Sequence, residues 1–356
     1  GNYQGAQEAV SRALAIAQRE GDEELEMLTL SNATSVDVFN FNLNEALKKG
    51  RRAIELARRI DDPLAEVVAH YFTAWTQLAA GNPGGVRMHL GPLDALADRL
   101  RDRSWLSNAP LTISHLSQLE GDWQAARDSS DRGLAVSPME PRLLAFRGLL
   151  EYEVGDFSQG EAYVQRLLEV VRIMPPGATT AHGLTAVVIP LVGHATGAQV
   201  PVADAEAVAQ TILSSATATP LVATQARSGL ALLAISRGVP EQAAEQYDVL
   251  QAYSSMLNPG GMVIDRLLGL LAQTLGKPEP AAQHFEDALS FCRKASYRPE
   301  LAWTCCDYAN TLLQRNNPGD RERAMSLLDE SLALSTDLGM RPLMERVLSR
   351  RDILKA

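Results

Sequence analysis

The chain has 356 residues, and its 43 acidic against 33 basic side chains give a formal charge of −10, which excludes a surface built mainly to grip phosphate backbones. Hydrophobic residues make up 46% but aromatics only 5%, so the core must be assembled from Ala, Leu, Val and Ile, a composition suited to close-packed helices. No window approaches about 18 uninterrupted apolar residues and no basic stretch precedes an apolar run at the start, so neither a spanning helix nor a signal peptide is expected and the cytoplasm is the expected compartment.

In chain order, the first recurring element is a hinge. Gly1-Asn2-Tyr3-Gln4-Gly5-Ala6, Glu120-Gly121-Asp122-Trp123-Gln124-Ala125-Ala126 and Val154-Gly155-Asp156-Phe157-Ser158-Gln159-Gly160 share a Gly, a small polar residue, an aromatic, and a small residue three places on. The Gly breaks one helix, the aromatic covers the turn, and the small residue lets the next helix cross closely. Following that small position gives Ala6, Ala46, Val86, Ala126, Gly160, Ala205, Ala243, Ala281 and Ala324, at spacings of 34 to 45 residues. Twelve residues before these anchors stand Thr34, Ala74, Ser114, Gly148, Gly193, Ala231 and Gly269. The last repeat uses Ala309, with a hinge lengthened within Asn316-Asn317-Pro318-Gly319-Asp320. Apolar ladders beyond the anchors, such as Val164, Leu167, Leu168 and Val170, have helical spacing.

This pattern resembles the tetratricopeptide repeat over nearly the whole chain, and the resemblance implies an all-α helical-repeat superhelix. Several hinges depart from it: Phe41 replaces the hinge Gly, and Pro83, Pro240 and Pro278 replace the aromatic. The first repeat begins at its hinge, so the chain is expected to be a piece of a longer protein. Pro175 to Pro201 is rich in Gly, Ala and Thr and carries Pro190 within an apolar helix. The expected organisation is an N-terminal sub-stack over 1–173, an irregular joint with the first helix of repeat six over 174–203, a C-terminal sub-stack over 204–340, and a capping helix and linker to a missing domain over 341–356.

The C-terminal run is more specific. Arg298-Pro299-Glu300-Leu301-Ala302-Trp303, Asn317-Pro318-Gly319-Asp320, Ala324 to Leu334 and Leu338-Gly339-Met340-Arg341-Pro342-Leu343 resemble the C-terminal repeats of large bacterial signalling ATPases related to the maltose regulator. In that family an ATPase module precedes a helical-repeat sensor, and many members end in a LuxR-type DNA-binding domain. The resemblance therefore implies ATPase and DNA-binding modules outside this chain.

Within the chain, no chemistry is assembled. Gly269 to Gly276-Lys277-Pro278 is a near miss for a phosphate loop, because six residues intervene and Pro278 cannot ligate a metal. No G-x-S-x-G, H-E-x-x-H or G-x-G-x-x-G occurs. His70, His89, His115, His182, His194 and His284 form no pair at i, i+3 or i, i+4 spacing, and Cys292, Cys305 and Cys306 lack C-x-x-C spacing. No catalytic residue, metal site or cofactor is expected. The basic excess from Arg341 to Ala356 reads as a solvated capping face.

What remains is the concave surface lined by the first helix of each pair. Its inward positions are mainly apolar with isolated polar groups, the character of a small-molecule site. The first candidate cluster is Tyr71, Trp75, Asn108, His115 and Arg142, an aromatic floor with convergent donors. Arg266, Trp303 and Asn310 form a second, less concentrated one. The function expected is a non-catalytic sensor domain of a bacterial transcriptional regulator that binds a small effector or a partner protein in its groove. A passive scaffold binding a peptide is the alternative, and neither membrane nor direct nucleic-acid binding is expected.

Overall fold

In the computed structural model the described residues are 3–355, which places the Gly1-Asn2 part of the first hinge outside them. Eighteen α-helices follow one another across these residues. α1 (Tyr3–Glu20) packs on α2 (Glu23–Phe39), and eight pairs follow it: α2 with α3 (Leu43–Ile60), α4 (Pro63–Ala79) with α5 (Pro83–Leu100), α6 (Arg103–Glu120) with α7 (Trp123–Val136), and α8 (Pro141–Val154) with α9 (Phe157–Ile173). The other four are α10 (Thr180–Thr196) with α11 (Val202–Ser214), α12 (Pro220–Arg237) with α13 (Pro240–Leu250), α14 (Ile264–Thr274) with α15 (Pro278–Ala295), and α16 (Arg298–Arg315) with α17 (Asp320–Leu338). α18 (Arg341–Lys355) closes the series. The chain is an all-α, tetratricopeptide-like helical-repeat superhelix.

The repeat logic operates as local chemistry. The anchors Ala46, Val86, Ala126, Ala205, Ala243, Ala281 and Ala324 are each fully buried, and Ser114 donates from α6 to the Ala126 carbonyl at 2.9 Å, a helix crossing with no side chain between. Gly81, Gly121, Gly155, Gly238 and Gly276 all turn their hinges with positive φ. Phe41 adopts the same left-handed conformation, at φ 59°, without a glycine's freedom. Asp62, Asp102, Asp122 and Asp156 cap the next helices by accepting from backbone amides.

Two features depart from the sequence reading, a hairpin and a closure. Between α13 and α14 lies a hairpin, β1 (Leu257–Asn258) paired antiparallel with β2 (Met262–Val263). Its turn points into the superhelix, where a side chain at Gly260 would strike Val187 on α10 and one at Gly261 would meet Leu149 on α8. The segment 174–203 contains α10, a regular helix with 13 buried residues, Pro190 among them, and the main apolar cluster runs through it from Val67 to Val347.

The second departure is closure. The inner face is not an open trough, because later repeats fold back across earlier ones. Tyr297 donates to the Leu78 carbonyl at 3.0 Å, and Trp123 Nε1 to the Leu338 carbonyl at 2.7 Å. Arg341 Nη2 donates to the Gly155 carbonyl at 2.5 Å, and Arg346 Nη2 to the His194 and Ala195 carbonyls, both at 2.8 Å. Every acceptor lies at or just past the end of a helix, where carbonyls lack an intrahelical partner and the dipole is negative. Arg341 and Arg346 therefore anchor α18 against α8 and α10, which corrects the expectation of a solvated basic face.

Candidate functional site

The strongest candidate site lies on the seam where the first repeats meet the middle ones. α2 contributes Val38 and Phe39, α4 contributes Tyr71, Phe72 and Trp75, and α8 contributes Arg142 and Phe146. The opposite wall is Leu184 from α10, Leu221 and Gln225 from α12, and Pro259 from the hairpin. These residues surround a cavity of about 110 Å³ that opens to solvent, so only part of a small molecule is enclosed.

Arg142 organises the mouth. It donates through Nη1 to the Tyr71 hydroxyl at 2.8 Å, through Nη2 to Asn108 Oδ1 at 2.7 Å, and through Nε to Glu140 at 2.7 Å. Burial opposes its charge, but the Tyr71 and Glu140 oxygens outweigh that and hold the guanidinium above its ordinary pKa. Three residues expected to converge from three repeats do so: Asn108 and Arg142 hold equivalent repeat positions, and the long Arg142 side chain also reaches Tyr71, one turn further along α4. The Glu140 carboxylate at the helix start was missed. It stands two residues before Arg142, a proximity the sequence displays.

Behind this mouth, Trp75, His115 and Phe146 form a stack, with Trp75 and His115 rings 5.3 Å apart and 17° from parallel, and His115 and Phe146 4.1 Å apart. His115 is 1% exposed, and burial pushes its pKa down to about 3, so the ring is neutral. Neither of its nitrogens has a hydrogen-bond partner. It stands one layer behind the pocket wall and supports Trp75.

The second cluster is assembled differently. Arg266 is 1% exposed and pairs with Glu300 at 2.7 Å and Asp307 at 2.9 Å. Burial works against all three charges. Asp307 is nonetheless held below its ordinary value by Arg266, whereas Glu300 stays above its own. Trp303 is sandwiched between the Arg266 and Arg346 guanidinium groups, 5.6 and 5.1 Å from its ring centre. Asn310 is half-buried further along α16. Arg266 and Trp303 thus join α14, α16 and α18. Next to them Glu153, part-buried by surface yet deep in the fold, has its pKa raised to about 8 by burial and then by Glu300.

Among the described residues one group has the composition of a cation site: Asp265, His284 and Asp287, whose ligand atoms lie within 4.8 Å of one another. His284 and Asp287 stand i, i+3 on α15, a spacing invisible to a search for histidine pairs. Asp265 Oδ2 already accepts from the Ser255 amide at 2.6 Å, and the Tyr247 hydroxyl holds His284 Nε2 at 2.9 Å. These bonds tie the base of the hairpin to α14 and α15. All three cysteines are buried and free, with burial raising each thiol pKa.

No family model matches the chain, and no curated protein matches it either. Solved structures do. The chain is similar to a tetratricopeptide repeat protein from Parabacteroides merdae ATCC 43184, at 14% identity over 91% of this chain and 99% of that one, with a TM-score of 0.35. It is also similar to the P58(IPK) TPR domain, at 13% identity over 99% of both chains and a TM-score of 0.26. A circular tandem repeat protein with novel repeat topology aligns at 15% identity over 99% of this chain and 88% of that one, with a TM-score of 0.23. Among the described residues no helix is long and apolar enough to cross a membrane.

Proposed function

We propose that this chain is a non-catalytic binding module whose ligand is a small, mainly apolar molecule held between Trp75 and Gln225, with its polar end at the Arg142 mouth. The observation that carries this is the aromatic pocket on the closure seam. Its walls come from α2, α4 and α8 on one side and from α10, α12 and the hairpin on the other. A ligand there touches both sides, so one that binds only the closed form favours closure by its own differential affinity.

The wider reading is that of a cytoplasmic sensor region in a bacterial signalling regulator, with ATPase and LuxR-type DNA-binding modules outside this chain. The C-terminal resemblance carries that part. A helical-repeat superhelix is also an architecture consistent with a protein-interaction scaffold. In that reading a protein or peptide partner uses the outer faces, because the inner positions Leu78, Leu111, Leu149 and Val187 are buried within the fold.

The test is a thermal shift of the chain against a metabolite library, followed by calorimetric titration of each hit. A ligand that binds only the native form raises the midpoint. Hits whose affinity survives Trp75→Ala and Arg142→Ala in folded protein would remove the ligand from this pocket.

A further inference from the structure

Among the described residues that line the pocket, Trp75 leaves one buried donor unmet and Gln225 leaves both a donor and an acceptor unmet. Gln225 sits on α12, is fully buried, and lines the cavity opposite Arg142. Neither its Oε1 nor its Nε2 has a hydrogen-bond partner. Such an amide is costly to bury, and buried polar groups ordinarily find partners. The neighbouring helix makes space for it: a side chain at Gly183 would come within 2.1 Å of Gln225 Oε1. A leucine there would fill the same apolar wall without an unmet acceptor and donor.

We infer that the pocket takes ligands bearing a neutral planar amide, either a primary carboxamide or a lactam, on an aromatic or aliphatic body. The inference rests on the pocket being the ligand site. An amide edge offers one donor and one acceptor side by side, the complement of the Gln225 side chain, and the two close a paired hydrogen-bond ring once the Gln225 amide, now packed against Gly183, turns toward the cavity. A carboxylate only accepts, so it leaves Gln225 Oε1 unmet. It gains little from Arg142 either, because that guanidinium is already held by Glu140, Tyr71 and Asn108. The apolar remainder lies against Trp75, Phe146 and Leu184.

The experiment titrates the whole chain with three shape-matched probes, 3-phenylpropanamide, 3-phenylpropanoate and isopentylbenzene, by ligand-observed NMR. The expected result is that the amide binds at least about tenfold tighter than the other two, the discrimination typical of a site left with unpaired groups by the wrong ligand. In Gln225→Leu the amide loses that advantage and isopentylbenzene gains affinity. The ranking in the natural chain decides the matter even where the variant folds poorly. Equal binding of amide and hydrocarbon, or an amide preference that persists in Gln225→Leu, overturns the inference and leaves the pocket as the ligand site. Absence of binding by all three at millimolar concentration removes the pocket reading itself.

Discussion

The Tyr71 hydroxyl and the Arg142 guanidinium lie 2.8 Å apart, joining α4 to α8 across 71 residues of sequence. Because Tyr71 is 6% exposed, the bond forms inside the fold and fixes the mouth of the pocket. Tyr71→Phe keeps the ring and removes the bond. A hydrogen bond to a charged group contributes about 1.5 kcal/mol or more, so a loss of about that size is expected in urea denaturation. An unchanged midpoint would mean that solvent replaces the hydroxyl at no cost.

The α10–α12 crossing has no spare room. A methyl at Gly229 would lie 1.9 Å from the Ala186 carbonyl oxygen, a backbone atom that cannot rotate away. Gly229→Ala is therefore expected to cost about 3 kcal/mol, the upper range for overpacking. Gly84, in the first turn of α5 with only Asn82 Oδ1 within 4 Å, at 3.7 Å, is the control. Gly84→Ala should stabilise by about 0.5 kcal/mol through helix propensity. Similar effects at both sites would contradict the packing described.

Two sets of buried groups should tilt stability with pH in opposite directions. Burial lowers His115 and His70 to about 3 and His89 to about 4, from an ordinary 6.5. Below pH 6.5 the unfolded chain takes up protons that the folded chain refuses, so stability is present above that pH and lost as it falls toward 3. His115→Phe, which keeps a ring between Trp75 and Phe146, should flatten this acid limb. Glu153 has the reverse sign: raised from 4.5 to about 8, it contributes fully below pH 4.5, and that contribution is lost progressively as pH rises from 4.5 through 8. Glu153→Gln should remove this downward slope. Denaturation midpoints measured from pH 4 to 9 test both, and parallel curves for the natural chain and the variants would refute both assignments.

The repeat was legible because it rests on local steric needs. A hinge requires a left-handed residue and a helix crossing requires a small one, so Gly121, Ser114 and Ala126 announce themselves in sequence. Tyr71, Asn108 and Arg142 were legible because the repeat sets which side chains face inward, with Asn108 and Arg142 at one repeat position and Tyr71 a turn further along its helix. Closure was not. Whether Tyr297 reaches the Leu78 carbonyl depends on small rotations summed over six repeats, and no single residue encodes that sum. The unmet amide of Gln225 becomes visible only when α10 is laid beside it. The hairpin had a signal in Asn258-Pro259-Gly260-Gly261, a turn sequence absorbed there into the repeat period.

Closure of the superhelix is what turns a lined inner face into a pocket, and small-angle X-ray scattering of the purified chain measures it most directly. A compact chain of this length has a radius of gyration of about 20 Å by the usual scaling. The closed form predicts a value close to that, unchanged by dilution. A value well above about 25 Å, with the profile of an elongated, open superhelix, would contradict it.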